Sequence, residues 1–236
     1  MPFSSITVDV APWRLSGVVY GVLLNHRAAL AALGDALEKP PYKAAPRAPV
    51  MYIKPRNTLA GRGDPVIVPP DVPALEAGAT LGVVIGRTAC RVSEARALDC
   101  VAGYTIVNDV SIPHDSYYRP SLRYKVRDGF CPIGPRVVPA GAIGDPAGVA
   151  LRTFVDGVLV HTAGTTDLVR PVARLLADVT EFMTLSPGDL LMLGVAPGAP
   201  RVRAGQTVAI EVDGIGCLQN AFVAAPVADP ARRTVA

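Results

Sequence analysis

Gly103-Tyr104-Thr105-Ile106-Val107-Asn108-Asp109 runs β-branched and aromatic residues into an Asn-Asp pair. Tyr104 to Val110 therefore reads as a strand that carries a carboxylate at its end. Upstream, Leu81 to Ile85 is a continuous apolar run suited to a buried strand. Between the two, Ser93 is placed to cap a helix running to about Ala102, with Gly103 to stop it.

Further outward the same grammar repeats. Val18–Leu24, Val50–Lys54 and Val66–Val68 read as strands, and Arg27–Glu38 as a short helix weakened by Gly34 and ended by Pro40-Pro41. Leu151–Val155 and Val158–Thr162 flank Asp156-Gly157, a type I′ hairpin signal. Leu168, Val172, Leu175, Leu176, Val179 and Met183 recur at helical spacing and predict a helix over Asp167–Thr184, with Pro171 in its first turn. Strands at Leu190–Leu193 and Thr207–Val212, a turn at Asp213-Gly214 and a last strand to Val223 complete the pattern. Many short strands and few helices indicate a β-rich α+β domain.

Of the 236 residues, 50% are hydrophobic and 18% charged, enough for one core burying roughly 70–75% of the unfolded chain's surface. The 23 basic and 20 acidic residues are dispersed, which leaves no basic face for a nucleic-acid partner. Cys90, Cys100, Cys131 and Cys217 form no C-x-x-C pair, and read as buried thiols of a cytoplasmic protein. Gly17–Leu24 is too short to cross a membrane. It alternates like a strand and runs into Asn25-His26-Arg27, which argues against a signal peptide despite Arg14 before it. The expected organisation is an extension (1–16), one domain (17–223) and a tail (224–236). No nucleophile elbow, dinucleotide fingerprint or P-loop occurs.

Several segments resemble the fumarylacetoacetate hydrolase family: Leu24-Asn25-His26-Arg27, Ile53-Lys54-Pro55-Arg56-Asn57-Thr58, Gly103 to Asp109, and Glu181-Phe182-Met183-Thr184-Leu185-Ser186-Pro187-Gly188-Asp189. Tyr117-Tyr118-Arg119-Pro120 and Lys125-Val126-Arg127-Asp128-Gly129-Phe130-Cys131-Pro132-Ile133-Gly134 narrow the likeness. Within the family they are most similar to the N-terminal of the two tandem halves of the bifunctional isomerase/decarboxylases of 4-hydroxyphenylacetate degradation. The resemblance implies a mixed β-roll with a few peripheral helices. It also implies enolate chemistry on oxo-dicarboxylates and tricarboxylates, assisted by Mg²⁺ or another divalent cation such as Mn²⁺.

What it implies for single residues is mixed. Asp109 takes the position of a metal-binding aspartate, but the two accompanying glutamates are replaced by Gly78 and Thr80, so that a metal would be weakly held or absent. Glu76 has the right parity to replace them, yet four residues of straight strand put it about 13 Å from Thr80. The positions of the general acid and base fall at about Ala29 and Ala32, which move no proton. Gly194-Val195-Ala196-Pro197 departs from the usual Gly-Thr-Pro. Lys125 takes the position of an enolate-steadying lysine, with Asp128 spaced to hold it or Arg127 in place. Arg119, Tyr118 and Thr165 are the substrate-binding candidates, Arg119 through a bidentate carboxylate pair. His26 reads as a structural hydrogen-bonder, and His114-Asp115 is a rival metal constellation that matches no known motif.

Three functions follow from the resemblance. The first is a decarboxylase/isomerase subunit with its own site. The second is a catalytically degenerate scaffold that pairs, as homodimer or hetero-oligomer, with a metal-binding paralogue. The third is an acylpyruvate-type hydrolase, which lacks a water-activating base. None requires a nucleic acid or a membrane.

Overall fold

A computed structural model describes residues 17–114 and 122–226. In chain order, β1 (Val19–Leu23) leads to α1 (Arg27–Leu33), then to β2 (Val50–Lys54), β3 (Leu59–Ala60), β4 (Val66–Val68), β5 (Leu75–Glu76) and β6 (Ala79–Ile85). After β7 (Val101–Asn108) come α2 (Leu122–Lys125), β8 (Cys131–Pro139), α3 (Ala140–Ile143), β9 (Ala150–Val155) and β10 (Val158–Gly164). The chain ends with α4 (Val172–Phe182), β11 (Leu190–Met192), β12 (Arg201–Val202), β13 (Thr207–Val212) and β14 (Gly216–Ala224).

Seven strands form one mixed sheet in the order β2-β1-β11-β6-β7-β8-β3, and five form a second in the order β10-β9-β13-β14-β4. The larger sheet is curled nearly shut. β2 and β3 sit at its opposite edges, yet only Pro55–Thr58 separates them in sequence. Six flat inter-strand steps would set the edges about 29 Å apart, whereas five peptide steps span at most about 18 Å. The edges must therefore approach one another, which makes the sheet a roll.

The apolar run of β6 has a simple cause. All seven of its residues are buried, because the strand lies mid-sheet with both faces covered. Leu81, Val83 and Ile85 join a core shared with Leu175, Leu176 and Val179 of α4 and with Ile210, Leu218 and Phe222 of the second sheet. Val84 faces the other way, with Val107, Cys131, Ile133, Leu190 and Met192 inside the roll. The predicted hairpin forms at Asp156-Gly157, both with positive φ (50° and 81°), as a type I′ turn requires.

Three expected elements differ. The segment after Ser93 is a 3₁₀ helix, Glu94–Cys100, without a side-chain cap, and β7 has begun by Val101. Gly103 is no helix stop but a strand residue pressed against the Val138 carbonyl, where a Cβ has no room. The predicted Asp167–Thr184 helix starts only at Val172, with Pro171 as its extended N-cap (ψ 164°). The Arg27–Glu38 helix changes to 3₁₀ at Gly34. β8, with Pro132, Pro135 and Pro139 inside it, carries the wrong composition for a sheet strand and was legible only as a motif.

Candidate active site

The end of β7 builds the site. Asp109 follows that strand, and its backbone N–H donates to the Gly78 carbonyl at 2.8 Å. Ser111 continues alongside Glu76, with hydrogen bonds in both directions (2.8 and 3.2 Å). The chain after β7 is thus zipped to the chain before β6, and Asp109 is held 2% exposed.

Both Asp109 oxygens face cations. Lys54 Nζ lies 2.9 Å from Oδ1 and Lys125 Nζ 2.7 Å from Oδ2. The Tyr52 hydroxyl also donates to Oδ2. Tyr52 and Lys54 share a face of β2, two residues apart, while Ile53 between them is exposed. Across the sheet the Tyr52 ring covers Gly21, whose missing side chain makes the space. Lys54 donates further to the carbonyls of Val110 (3.1 Å), Lys125 (2.7 Å) and Phe130 (2.8 Å). Its three protons are therefore fully committed, and it pins the seam of the roll.

These neighbours set the protonation states. Burial pushes the Asp109 carboxyl up, but the charges of Lys125 and Lys54 and the hydrogen bonds of Lys125 and Tyr52 outweigh it and hold the group well below the usual carboxylate range. Burial lowers Lys125 against the pull of Asp109. Burial, reinforced by Asp109, raises the Tyr52 phenol, so that it stays a donor. Burial pushes the Cys131 thiol up to about 12, keeping it inert.

A cavity of about 470 Å³ opens beside this cluster. Asp109, Lys125, Ser111, His114 and Glu76 form its polar side, and Ala29, Ala32 and Leu33 of α1 face them with Val195–Ala199 and Arg201. Lys125 is 5% exposed, and among the described residues its only side-chain hydrogen bond goes to Asp109. Among the described residues its other N–H groups have no hydrogen-bond acceptor, and the ammonium lies 5.2 Å from the Tyr52 ring centroid.

The expected site residues separate. Asp109 and Lys125 come together, although Asp109 meets ammonium groups. Asp128 does not brace Lys125 or Arg127; its carboxylate is exposed and accepts from Asn57 Nδ2 at 2.7 Å. Thr165 is not on the large cavity. Its hydroxyl donates to the Pro146 carbonyl (2.6 Å) and accepts from the Val149 N–H (2.9 Å), beside a small second pocket shared with His26 and Thr80. Tyr118, Arg119 and Asp115 lie outside the described residues. His26 holds the Gly194 carbonyl at 3.4 Å, a structural contact. His114 stacks on Tyr124 at 4.9 Å.

Glu76 bridges Ser111 in the same register that pairs Ala79 with Asn108, so the strand direction continues through Ala77-Gly78 and Glu76 lines the same cavity as Asp109. Sequence reasoning also passed over Tyr52 and Lys54. Their signal was an ionisable residue two positions from an aromatic on one face of a strand, just before Pro55.

The donor set does not fit a divalent cation. Among the described residues no three His, Cys, Asp or Glu side chains gather to hold one. Both oxygens of Asp109 already face ammonium groups, and Lys54 is held by three carbonyls. An ion of charge two about 4 Å from one ammonium is opposed by roughly 8 kcal/mol at an effective dielectric of about 20. Gly78 has no room for a glutamate, since its Cβ would sit 2.5 Å from the Asp109 carbonyl oxygen and 2.8 Å from Val195 Cγ2.

The model of the fumarylacetoacetate (FAA) hydrolase C-terminal family matches residues 18–223. The chain belongs to the fumarylacetoacetate hydrolase family. Over 209 residues it is 39% identical to the 4-hydroxyphenylacetate degradation bifunctional isomerase/decarboxylase of Escherichia coli, a match covering 89% of this chain and 48% of that protein. The chain thus spans about half the length of the curated isomerase/decarboxylases it matches. The solved 5-carboxymethyl-2-hydroxymuconate delta-isomerase of Mycobacterium smegmatis superposes with a TM-score of 0.76 at 34% identity, covering 90% of this chain and 80% of that one. The maleylpyruvate hydrolase of Sphingobium sp. SYK-6, in complex with manganese (II) ion and pyruvate, gives 0.72 at 26% identity, with coverage of 89% and 71%. Among the described residues no helix is long and apolar enough to cross a membrane.

Proposed function

We propose that this chain is a cytoplasmic subunit of the isomerase/decarboxylase of 4-hydroxyphenylacetate catabolism. Its substrates are then 5-oxopent-3-ene-1,2,5-tricarboxylate and 2-hydroxyhepta-2,4-diene-1,7-dioate. The observation that carries the reading is the buried Lys125 ammonium, hydrogen-bonded among the described residues to Asp109 alone, on the wall of a cavity in a chain this similar to an enzyme of that name.

Both reactions pass through an enolate. In decarboxylation the electrons of the breaking carbon–carbon bond move into the conjugated carbonyl, and carbon dioxide leaves. In isomerisation a proton leaves one carbon and returns to another along the conjugated chain. Lys125 stabilises the oxyanion in each case, and its burial makes the charge more effective than it would be in water. Isomerisation also needs a proton carrier. Ala29 and Ala32 offer none, whereas Glu76 supplies a carboxylate on the cavity wall, and we assign it that role. Turnover of the hydroxydiene diacid, followed by its ultraviolet absorbance, tests the reading. Lys125→Met should abolish it, and Glu76→Gln should lower kcat at least ~100-fold. A folded wild-type chain without turnover would contradict the assignment.

The bare α1 wall supports a second reading, a binding scaffold for a paralogous domain that does the chemistry. The curated isomerase/decarboxylases are about twice as long as the match. Val158, Leu159 and Val160 of edge strand β10 are exposed and offer a second such domain an apolar strip. Light scattering of the chain with and without a co-expressed paralogue separates the two readings. If activity is the same with and without this chain, the scaffold role fails.

A further inference from the structure

We propose that the Lys125 cavity binds a 2-oxo-carboxylate, or its enolate, without any divalent cation. The inference rests on the placement of the substrate in this cavity, and it goes further by assigning the recognition to ammonium groups alone.

Three observations carry it. Lys125 is 95% buried by the measure of its 5% exposure, and among the described residues a single hydrogen bond, to Asp109, satisfies it. A buried ammonium with spare donors facing a cavity is an anion site in want of an anion. The charge count agrees: among the described residues Lys54, Lys125 and Arg201 stand against Asp109 and Glu76, one positive charge in excess. Finally, both oxygens of Asp109, the carboxylate a cation would need, face ammonium groups. Gly78 abuts the Asp109 carbonyl and Val195, and Lys54 is tied to three carbonyls and cannot swing away. The Asp109 carboxylate then acts as a positioning residue that orients Lys125 toward the cavity.

The size of the cavity suits the ligand. About 470 Å³ lies within the range of small-molecule sites, roughly 300–1,000 Å³, and accepts a chain of seven or eight carbons. One carboxylate or enolate oxygen meets Lys125, and the exposed Arg201, which also lines the cavity, takes a distal carboxylate.

Oxalate, a planar dianion that mimics the enolate of a 2-oxo acid, is the probe. Its binding to the whole chain is measured by calorimetry in EDTA and again with Mn²⁺, and Mn²⁺ alone is titrated by electron paramagnetic resonance. Oxalate should bind equally well, within a factor of two, in EDTA and with metal, and Mn²⁺ alone should keep its free-ion signal. Lys125→Met should weaken oxalate at least tenfold. Ala29→Trp should do the same by filling the cavity from α1, a helix with no buried residue, and so does not depend on the cluster surviving. A tenfold gain in oxalate affinity with Mn²⁺, or stoichiometric binding of Mn²⁺ alone, overturns metal independence and leaves the substrate assignment standing. No oxalate binding in either condition overturns both.

Discussion

The two sides of the cavity differ in kind. On one, Tyr52, Lys54, Asp109 and Lys125 are buried, joined by hydrogen bonds and ion pairs, and fixed by the closure of the roll. On the other, α1 presents Ala29, Ala32 and Leu33, and no residue of that helix is buried. The charged side is part of the fold, so changing it costs stability. The apolar side rests lightly on the fold, so changing it alters only what the cavity can do.

The largest expected effect comes from breaking the locked side. Lys54→Met strips one cation from Asp109 and leaves three carbonyls of the seam unpaired. Removing one partner of a buried pair costs about 3–5 kcal/mol, which for a chain of this size lowers Tm by roughly 6–20 °C. A thermal melt measures it, and a loss of only a degree or two would show that the seam does not depend on Lys54.

Asp109→Asn leaves two ammonium groups without their counter-charge and should cost about 3 kcal/mol. It should also change the pH profile. The folded-state pKa of Asp109 is depressed, so its contribution is complete above the ordinary carboxylate range. It is lost as the pH falls below about 4 toward the folded value. The variant should therefore show a shallower acid limb in urea titrations at pH 2 to 6.

Gly78→Glu tests whether a glutamate can simply be put back. Overpacking against the Asp109 carbonyl and Val195 should cost about 1–3 kcal/mol, and the variant should gain no Mn²⁺ affinity by paramagnetic resonance. Tight Mn²⁺ binding would show that the crowding relaxes. The smallest effect belongs to the open side: Ala29→His with Ala32→Glu should change stability by no more than about 0.5 kcal/mol. Any change in the rate of hydroxydiene isomerisation then reports chemistry alone.

Much of the architecture was written locally. The apolar run of β6, the Asp156-Gly157 hairpin and the buried stripe of α4 each depend on neighbours in sequence, and each was legible there. The seam was not, because it joins β2 to residues 109–130 through the curl of a sheet, and no local pattern encodes a curl. Lys54 stood within a recognisable motif, but only closure of the roll shows that it spends every proton on the site. Glu76 keeps the register of β6 along the chain after β7, and only the shape of the cavity shows that it shares a wall with Asp109 and Lys125. The resemblance supplied Asp109 and Lys125, and the geometry showed that they are partners of one another.

Crystals grown with MnCl₂ and oxalate, measured at a wavelength where manganese scatters anomalously, test this partnership most directly. The account predicts oxalate density against Lys125, both lysines still on Asp109, and no anomalous peak beside that carboxylate. An anomalous peak within coordination distance of Asp109, with a lysine displaced to admit it, would contradict the account.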